Sequence, residues 1–156
     1  FEAELFDDNQ QSIGTGTLYL KDAKVGDAAQ FVSYLEADYR LGSKLNVDLG
    51  YRFVDNLYAD YSITDSEFTQ PDNAGALKLP SYGLVDFGTT VRFNLFGNDA
   101  SFRVNINNLL DTTYIAESNS NIHADASSTT WNGVDTRNYV WFGFGRTWNA
   151  SLKYRF

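Results

Sequence analysis

The chain has 156 residues, with 20 Asp and Glu against 12 Lys and Arg, a formal charge of −8, no Cys, no Met and 16% aromatic residues. The lack of Cys excludes a disulfide scaffold, a thiolate metal cage and a cysteine nucleophile. The acidic balance argues against a nucleic-acid partner, the aromatic content against disorder, and no window approaches the roughly 18 apolar residues of a membrane helix.

In chain order, the first element is a short strand at Phe1 to Phe6, read as the cut-off end of a longer one, followed by a polar connection from Asp7 to Asp27. Within that connection a small run, Gly16 to Leu20, is expected to extend the hairpin that follows it. From Ala29 to Leu41 the odd positions Phe31, Ser33, Leu35, Ala37, Tyr39 and Leu41 oppose Gln30, Glu36, Asp38 and Arg40. Successive side chains of a strand point to opposite faces, so a period of two predicts an amphipathic strand. Leu41-Gly42-Ser43-Lys44 is a tight turn, and the region from Lys44 to Tyr61 opens with Leu45, Val47, Leu49, Tyr51 and Phe53 against Asn46, Asp48, Gly50 and Arg52. A second polar connection, Ser62 to Ser81, leads to a strand over Tyr82 to Phe96. Its apolar parity is Val85, Phe87, Thr89, Val91, Phe93 and Leu95. Gly97-Asn98-Asp99-Ala100 is the second tight turn, and Phe102, Val104 and Ile106 alternate with Arg103 and Asn105 after it. A third connection, Glu117 to Asn138, precedes one long strand over Tyr139 to Phe156, whose even positions are apolar or aromatic except Arg146.

Short turns on one edge and long polar loops on the other are the pattern of a transmembrane β-barrel. Alternation alone does not say which face is wet. Three features favour apolar side chains facing outward into lipid over a soluble barrel or sandwich. The runs of about 13 to 18 residues exceed the usual 5 or 6 of soluble strands. Aromatic residues gather toward strand ends (Tyr39, Phe93, Tyr154, Phe156), as in interfacial girdles. The polar face mixes both signs, including Glu36, Asp38, Asp48, Arg52, Asp86, Arg92, Arg103 and Lys153, which suits pairing across a lumen. Arg146 is a misfit on the lipid parity, so Gly143, Gly145 and Arg146 are expected to mark a bulge or to lie above the bilayer. Membrane barrels must close and need about 8 strands at least. After the long loops are set aside, the chain supports five full strands and one partial strand, too few to close. Without an initiating Met, and with no leader at Phe1, residues 1–156 are expected to be the carboxy-terminal part of a larger barrel.

The stretch Asn107-Asn108-Leu109-Leu110-Asp111-Thr112-Thr113-Tyr114 resembles the N-N-L-[FL]-D-x-x-Y motif on the penultimate barrel strand of TonB-dependent outer-membrane receptors. The end, Gly143 to Trp148 and then Leu152-Lys153-Tyr154-Arg155-Phe156, resembles that family's final strand, whose alternating apolar residues and terminal Phe are read by the assembly machinery. Asp55 to Tyr61 is similar to receptors of this family from Bacteroidetes-type bacteria. The resemblance covers essentially the whole chain and implies a 22-stranded barrel filled by an N-terminal plug, with this chain supplying about the last six strands. The plug and the Ton box have no counterpart in residues 1–156. The implied function is active import of a scarce ligand, of the siderophore, cobalamin or glycan class, across the Gram-negative outer membrane with energy from TonB. The implied partners are the remainder of the barrel and the plug, outer-membrane lipids, the TonB complex acting through the plug, and a surface lipoprotein. The expectation is a transport protein and not an enzyme. The alternatives are a small self-closing outer-membrane barrel with a structural or adhesive role, and a soluble β-barrel binding module.

Few residues suggest chemistry. His123 is the single His and sits in a polar loop, where most such residues are solvated. Asp65, Glu67 and Asp72 offer oxygens for Ca²⁺ but match no loop motif. Trp131 and Trp141 flank the third loop and could stack on a ligand such as a sugar ring, although packing or interfacial anchoring is the commoner use. Asn149-Ala150-Ser151 is a formal sequon on a predicted membrane strand and is discounted. Gly143-Phe144-Gly145 lacks the setting of a phosphate loop. Asn107, Asn108, Leu109, Asp111 and Tyr114 are expected to shape a strand-to-loop transition, and Leu152, Tyr154 and Phe156 to form the assembly signal. No metal and no cofactor is expected.

Overall fold

A computed structural model describes residues 1–7, 9–20, 23–62 and 66–156. The chain is all-β, and no α-helix occurs among the described residues. Its strands are β1 Glu2–Phe6, β2 Ser12–Thr17, β3 Phe31–Leu41, β4 Leu45–Asp55, β5 Tyr82–Leu95, β6 Asn98–Asn107, β7 Ile115–Ser118, β8 Thr130–Trp131, β9 Val134–Asp135, β10 Val140–Phe142 and β11 Thr147–Tyr154. A short 3-10 turn spans Ser66–Thr69. The chain divides into two compact units.

The unit of Gln30–Asp55, Ser81–Tyr114 and Phe142–Phe156 holds a five-stranded sheet in the order β11-β6-β5-β4-β3. All four ladders are antiparallel. The sheet is open at both edges, so the described strands form no closed barrel. Register fixes the faces, because directly paired residues share one side. Leu35, Tyr51 and Val85 are successive partners, as are Val91, Phe102 and Leu152. One face therefore carries the predicted apolar parity without interruption from β3 to β11, its only charged residue being Asp55 at the end of β4. That face is open: Leu35 is 72% exposed, Trp148 73% and Leu152 64%. The opposite face carries Glu36, Asp38, Asp48, Arg52, Asp86, Arg92, Arg103 and Lys153. Toward the strand ends remote from the tight turns it becomes apolar, with Val32, Val54 and Tyr82 on one rung and Leu84 on the next. Val54 and Leu84 are buried there.

The unit of Phe1–Ala29, Asn56–Pro80 and Ile115–Trp141 is made from the long connections. It is built in the ordinary sense, with Leu57, Ala59, Phe68, Leu79, Ile115 and Val134 buried. Tyr61 packs on Phe68 with ring centroids 5.0 Å apart, and Leu79 donates its amide to the Leu57 carbonyl at 2.8 Å. Thirteen of the 20 acids and four of the 12 bases fall in its segments, a net of −9 against +1 for the sheet unit.

Three expectations are corrected. The main sheet has five strands and not six, because β1 pairs with β2 in a separate two-stranded sheet. The run near Gly16 belongs to that pairing and does not extend the hairpin of β3 and β4. The long strand over Tyr139 to Phe156 is interrupted: β10 ends at Phe142 and β11 begins at Thr147. Arg146 therefore lies outside the strand, where its amide donates to Asp111 Oδ1 at 2.7 Å and its guanidinium approaches Asp111 Oδ2 at 3.8 Å. The period-two count passed through the break because two glycines carry no polarity to interrupt it.

Candidate functional site: a polar sheet face and the end of β6

Arg103 organises the polar face. Its guanidinium lies 3.0 Å from Asp48 Oδ1 and donates to Asp48 Oδ2 at 3.0 Å, to Thr90 Oγ1 at 3.1 Å and to Asn105 Oδ1 at 2.8 Å. Asn105 donates onward to Asn149 Oδ1 at 2.9 Å, and Asn46 donates to Asp38 Oδ2 at 2.7 Å. Each of the five strands thus contributes a side chain to this polar layer. The Asp48 side chain is only 18% exposed, so its charge is partly withdrawn from water and the guanidinium replaces what it loses. Glycines make room for long neighbours. A Cβ at Gly88 would collide with the Asp48 carboxylate and the Arg103 guanidinium, and one at Gly50 would meet the Tyr34 ring. On the apolar face Tyr51 leans over Gly83 in the same way.

The motif that resembles the receptor family forms the end of β6. Asn108 and Asp111 adopt left-handed backbone, with φ of 51° and 57°, which Asn and Asp tolerate better than most residues. Asn108 is buried and accepts the Thr112 amide at 2.9 Å while donating to the carbonyls of Thr112 at 2.9 Å and Phe144 at 3.3 Å. Its own amide donates to Asp86 Oδ1 at 2.9 Å. The Leu109 amide donates to the Val85 carbonyl at 2.6 Å. Asn107 donates to Thr147 Oγ1 at 3.2 Å, across to the start of β11. Tyr114 stacks on Tyr82 with centroids 4.1 Å apart and covers Gly143, whose amide donates to the Tyr114 carbonyl at 2.9 Å. These contacts give the motif a structural part: it ends one strand, turns the chain and locks the approach to the next. At the chain end, Leu152 and Tyr154 lie on the apolar face opposite Phe102 and Ala100, and the Tyr154 and Phe156 rings are 6.4 Å apart.

In the unit of long connections, Trp131 pairs with Val134 in a two-residue hairpin whose Asn132 and Gly133 have φ of 48° and 88°, a type I′ turn. Trp141 lies on β10 and is exposed. His123 Nε2 lies 3.0 Å from the Gly75 carbonyl. Asp72 is exposed, while Asp65 and the Glu67 side chain lie outside the described residues. Among the described residues no three His, Cys, Asp or Glu come together to hold a metal ion.

The best-built polar cluster of this unit carried no recognisable sequence signal. Asp135 is 1% exposed and receives Arg137 at 2.6 Å, Ser128 at 2.6 Å and the Arg137 amide at 2.8 Å. The Arg137 and Ser128 hydrogen bonds hold its carboxyl well below the usual carboxylate range, and the carboxylate in turn raises Arg137. Asp125 is lowered as well, by the Ser127 hydroxyl and amide. Asp27 goes the other way: burial first, then the charges of Asp60 and Glu117, push its carboxyl up. An i, i+2 Asp–Arg pair in a loop is a common composition, which is why nothing in the sequence singled it out.

No family model matches the chain, and neither a curated protein nor a solved structure does.

Proposed function

We propose that the five-stranded sheet is part of the wall of an outer-membrane β-barrel, with its apolar face against lipid and its polar face toward a lumen. The observation that carries this is the inverted burial of the sheet. Its large apolar side chains are exposed or half-exposed on a face whose one charged residue is Asp55, while the other ionic side chains of its strands lie on the opposite face, where Asp48 and Arg103 pair. A soluble sheet does the reverse, and a contiguous exposed apolar face of this kind marks contact with another apolar phase or partner. The dimensions agree. The 11 residues of β4 run about 36 Å, and a tilt of about 40° brings the height to roughly 27 Å, near the ~25 Å apolar band of such barrels. Aromatic residues stand toward both ends of that face: Phe31, Phe53 and Trp148 at one, Tyr39, Phe93 and Tyr154 at the other.

Within that reading, the end of β6, the apolar C-terminal strand and the resemblance of both to TonB-dependent receptors support a place near the end of a receptor barrel that imports a scarce ligand. The unpaired outer edges of β3 and β11 then join further strands of the same wall, because edges cannot stay open in hydrocarbon. The acidic unit of long connections supplies part of the ligand-facing surface, with Trp131 and Trp141 as its candidate contacts. The test is fractionation of a Gram-negative cell that makes the protein carrying this chain. Recovery in outer membranes that resist carbonate extraction, together with energy-dependent uptake of a ferric siderophore, cobalamin or glycan lost on deletion, is expected. Recovery in the soluble fraction would overturn the reading.

A further inference from the structure

We propose that the turn end of the polar face is a docking site for an acidic, extended polypeptide segment. A concavity of about 600 Å³ lies there, lined by Lys44, Arg92, Lys153 and Arg155 with a single acid, Asp99. The four cations are placed by register. The Arg92 amide donates to the Lys44 carbonyl, Arg92 pairs with Ser101, Ser101 pairs with Lys153, and the Arg155 amide donates to the Asp99 carbonyl. None of the four makes an ion pair among the described residues, in contrast to Arg103 on the same face. Like charges on neighbouring strands repel, and this chain carries a net charge of −8 overall, so four cations gathered on one concave surface stand against its general balance.

The spacing selects the occupant. From β4 to β11 is three strand spacings, about 14 Å, and Lys153 to Arg155 is a two-residue step of about 7 Å along the strand. A single phosphate or sulfate cannot reach across such a row. Acidic side chains at every second position of an extended chain repeat at about 7 Å and point the same way. Arginine guanidinium forks suit carboxylates, and Ser101 offers a hydroxyl among the cations for the segment's backbone. This proposal does not depend on what covers the apolar face, so it and the membrane reading can fail separately.

The test is fluorescence anisotropy of the full chain in zwitterionic micelles with a labelled peptide that has glutamate at every second position. Saturable binding is expected, weakened about tenfold or more in the variant Arg92→Gln/Lys153→Gln and changed less than about twofold in Arg40→Gln, which removes a cation elsewhere on the face. Circular dichroism confirms that each variant keeps its strands. In the unaltered chain, affinity is expected to fall steeply with salt. Equal binding by the double variant, or by a peptide with glutamine in place of glutamate, would overturn the proposal. Tighter binding of tripolyphosphate than of the peptide would overturn the choice of occupant.

Discussion

Asp48 on β4 and Arg103 on β6 join their charges across an intervening strand, over Gly88 of β5, where no side chain stands between them. Three features must coincide for this pair: a carboxylate, a guanidinium long enough to cross a strand, and a glycine beneath them. Removing the guanidinium in Arg103→Gln leaves a partly buried carboxylate short of its partner and is expected to cost about 1–3 kcal/mol. A double-mutant cycle with Asp48→Asn, read by denaturant unfolding in micelles, should show strong coupling. Additive effects would mean that the two side chains do not act together.

Gly88→Ala tests the same relationship from below. A methyl group there has no free space, since the carboxylate and the guanidinium already fill it. The expected loss is about 1–3 kcal/mol, and it should shrink when Asp48→Ala vacates the site. Gly42→Ala is a different control: nothing lies near its Cβ, but its φ of 66° makes the side chain strained.

Asn108 is expected to be the most sensitive position of the β6 end. Asn108→Ala leaves the Thr112 amide and the Phe144 carbonyl without their partner and places alanine at a φ of 51°. A loss of about 2–4 kcal/mol follows from unmade hydrogen bonds together with backbone strain. Asn108→Gly keeps the backbone free but still loses the bonds, so it should fall between the two. Near-ultraviolet circular dichroism of the stacked Tyr82 and Tyr114 would report whether the transition into β11 loosens at the same time.

The loop cluster around Asp135 predicts an acid dependence. Its folded value lies below the unfolded value near 3.8, so its contribution is fully present above that range and is lost as pH falls through it toward the depressed value. Stability of this unit should therefore drop from about pH 5 downward, and Asp135→Asn should start lower at neutral pH and respond less to acid. Asp27 has the opposite sign. Its raised value means that the fold is disfavoured as pH rises through it, so Asp27→Asn should stabilise at neutral pH. Denaturant midpoints at several pH values would check both.

The sheet was legible because its chemistry is periodic. Leu35, Leu49, Val91, Phe102 and Leu152 could each be assigned to the apolar parity of its strand from the sequence, since strand alternation is rigid and the two tight turns fix the register within the β3–β4 and β5–β6 hairpins. Gly143 to Arg146 was legible as an irregularity, through the misplaced Arg146, but not as a gap between two strands, because the gap depends on Tyr114 filling the space over Gly143 and on Asp111 capturing Arg146, both distant in sequence. The apolar end of the polar face escaped for a related reason. Val32, Val54, Tyr82 and Leu84 each follow the parity of polar residues, and only their convergence on neighbouring rungs makes them a patch. The hairpin of β1 with β2 depends on pairing within a long connection whose sequence carries little alternation.

The apolar face is the centre of the functional reading, and the absence of Cys makes it directly accessible. Single cysteines replacing Leu35, Leu49, Val91 and Leu152 on one face, and Glu36, Arg52, Thr90 and Ser151 on the other, can each carry a nitroxide spin label in the protein reconstituted into liposomes. Collision with oxygen, which concentrates in lipid, should dominate at the first set, and collision with a water-soluble nickel chelate at the second, alternating residue by residue along every strand. Oxygen and nickel accessibilities that do not alternate, or a first set shielded from both probes as in a packed protein core, would contradict the assignment of this face to lipid.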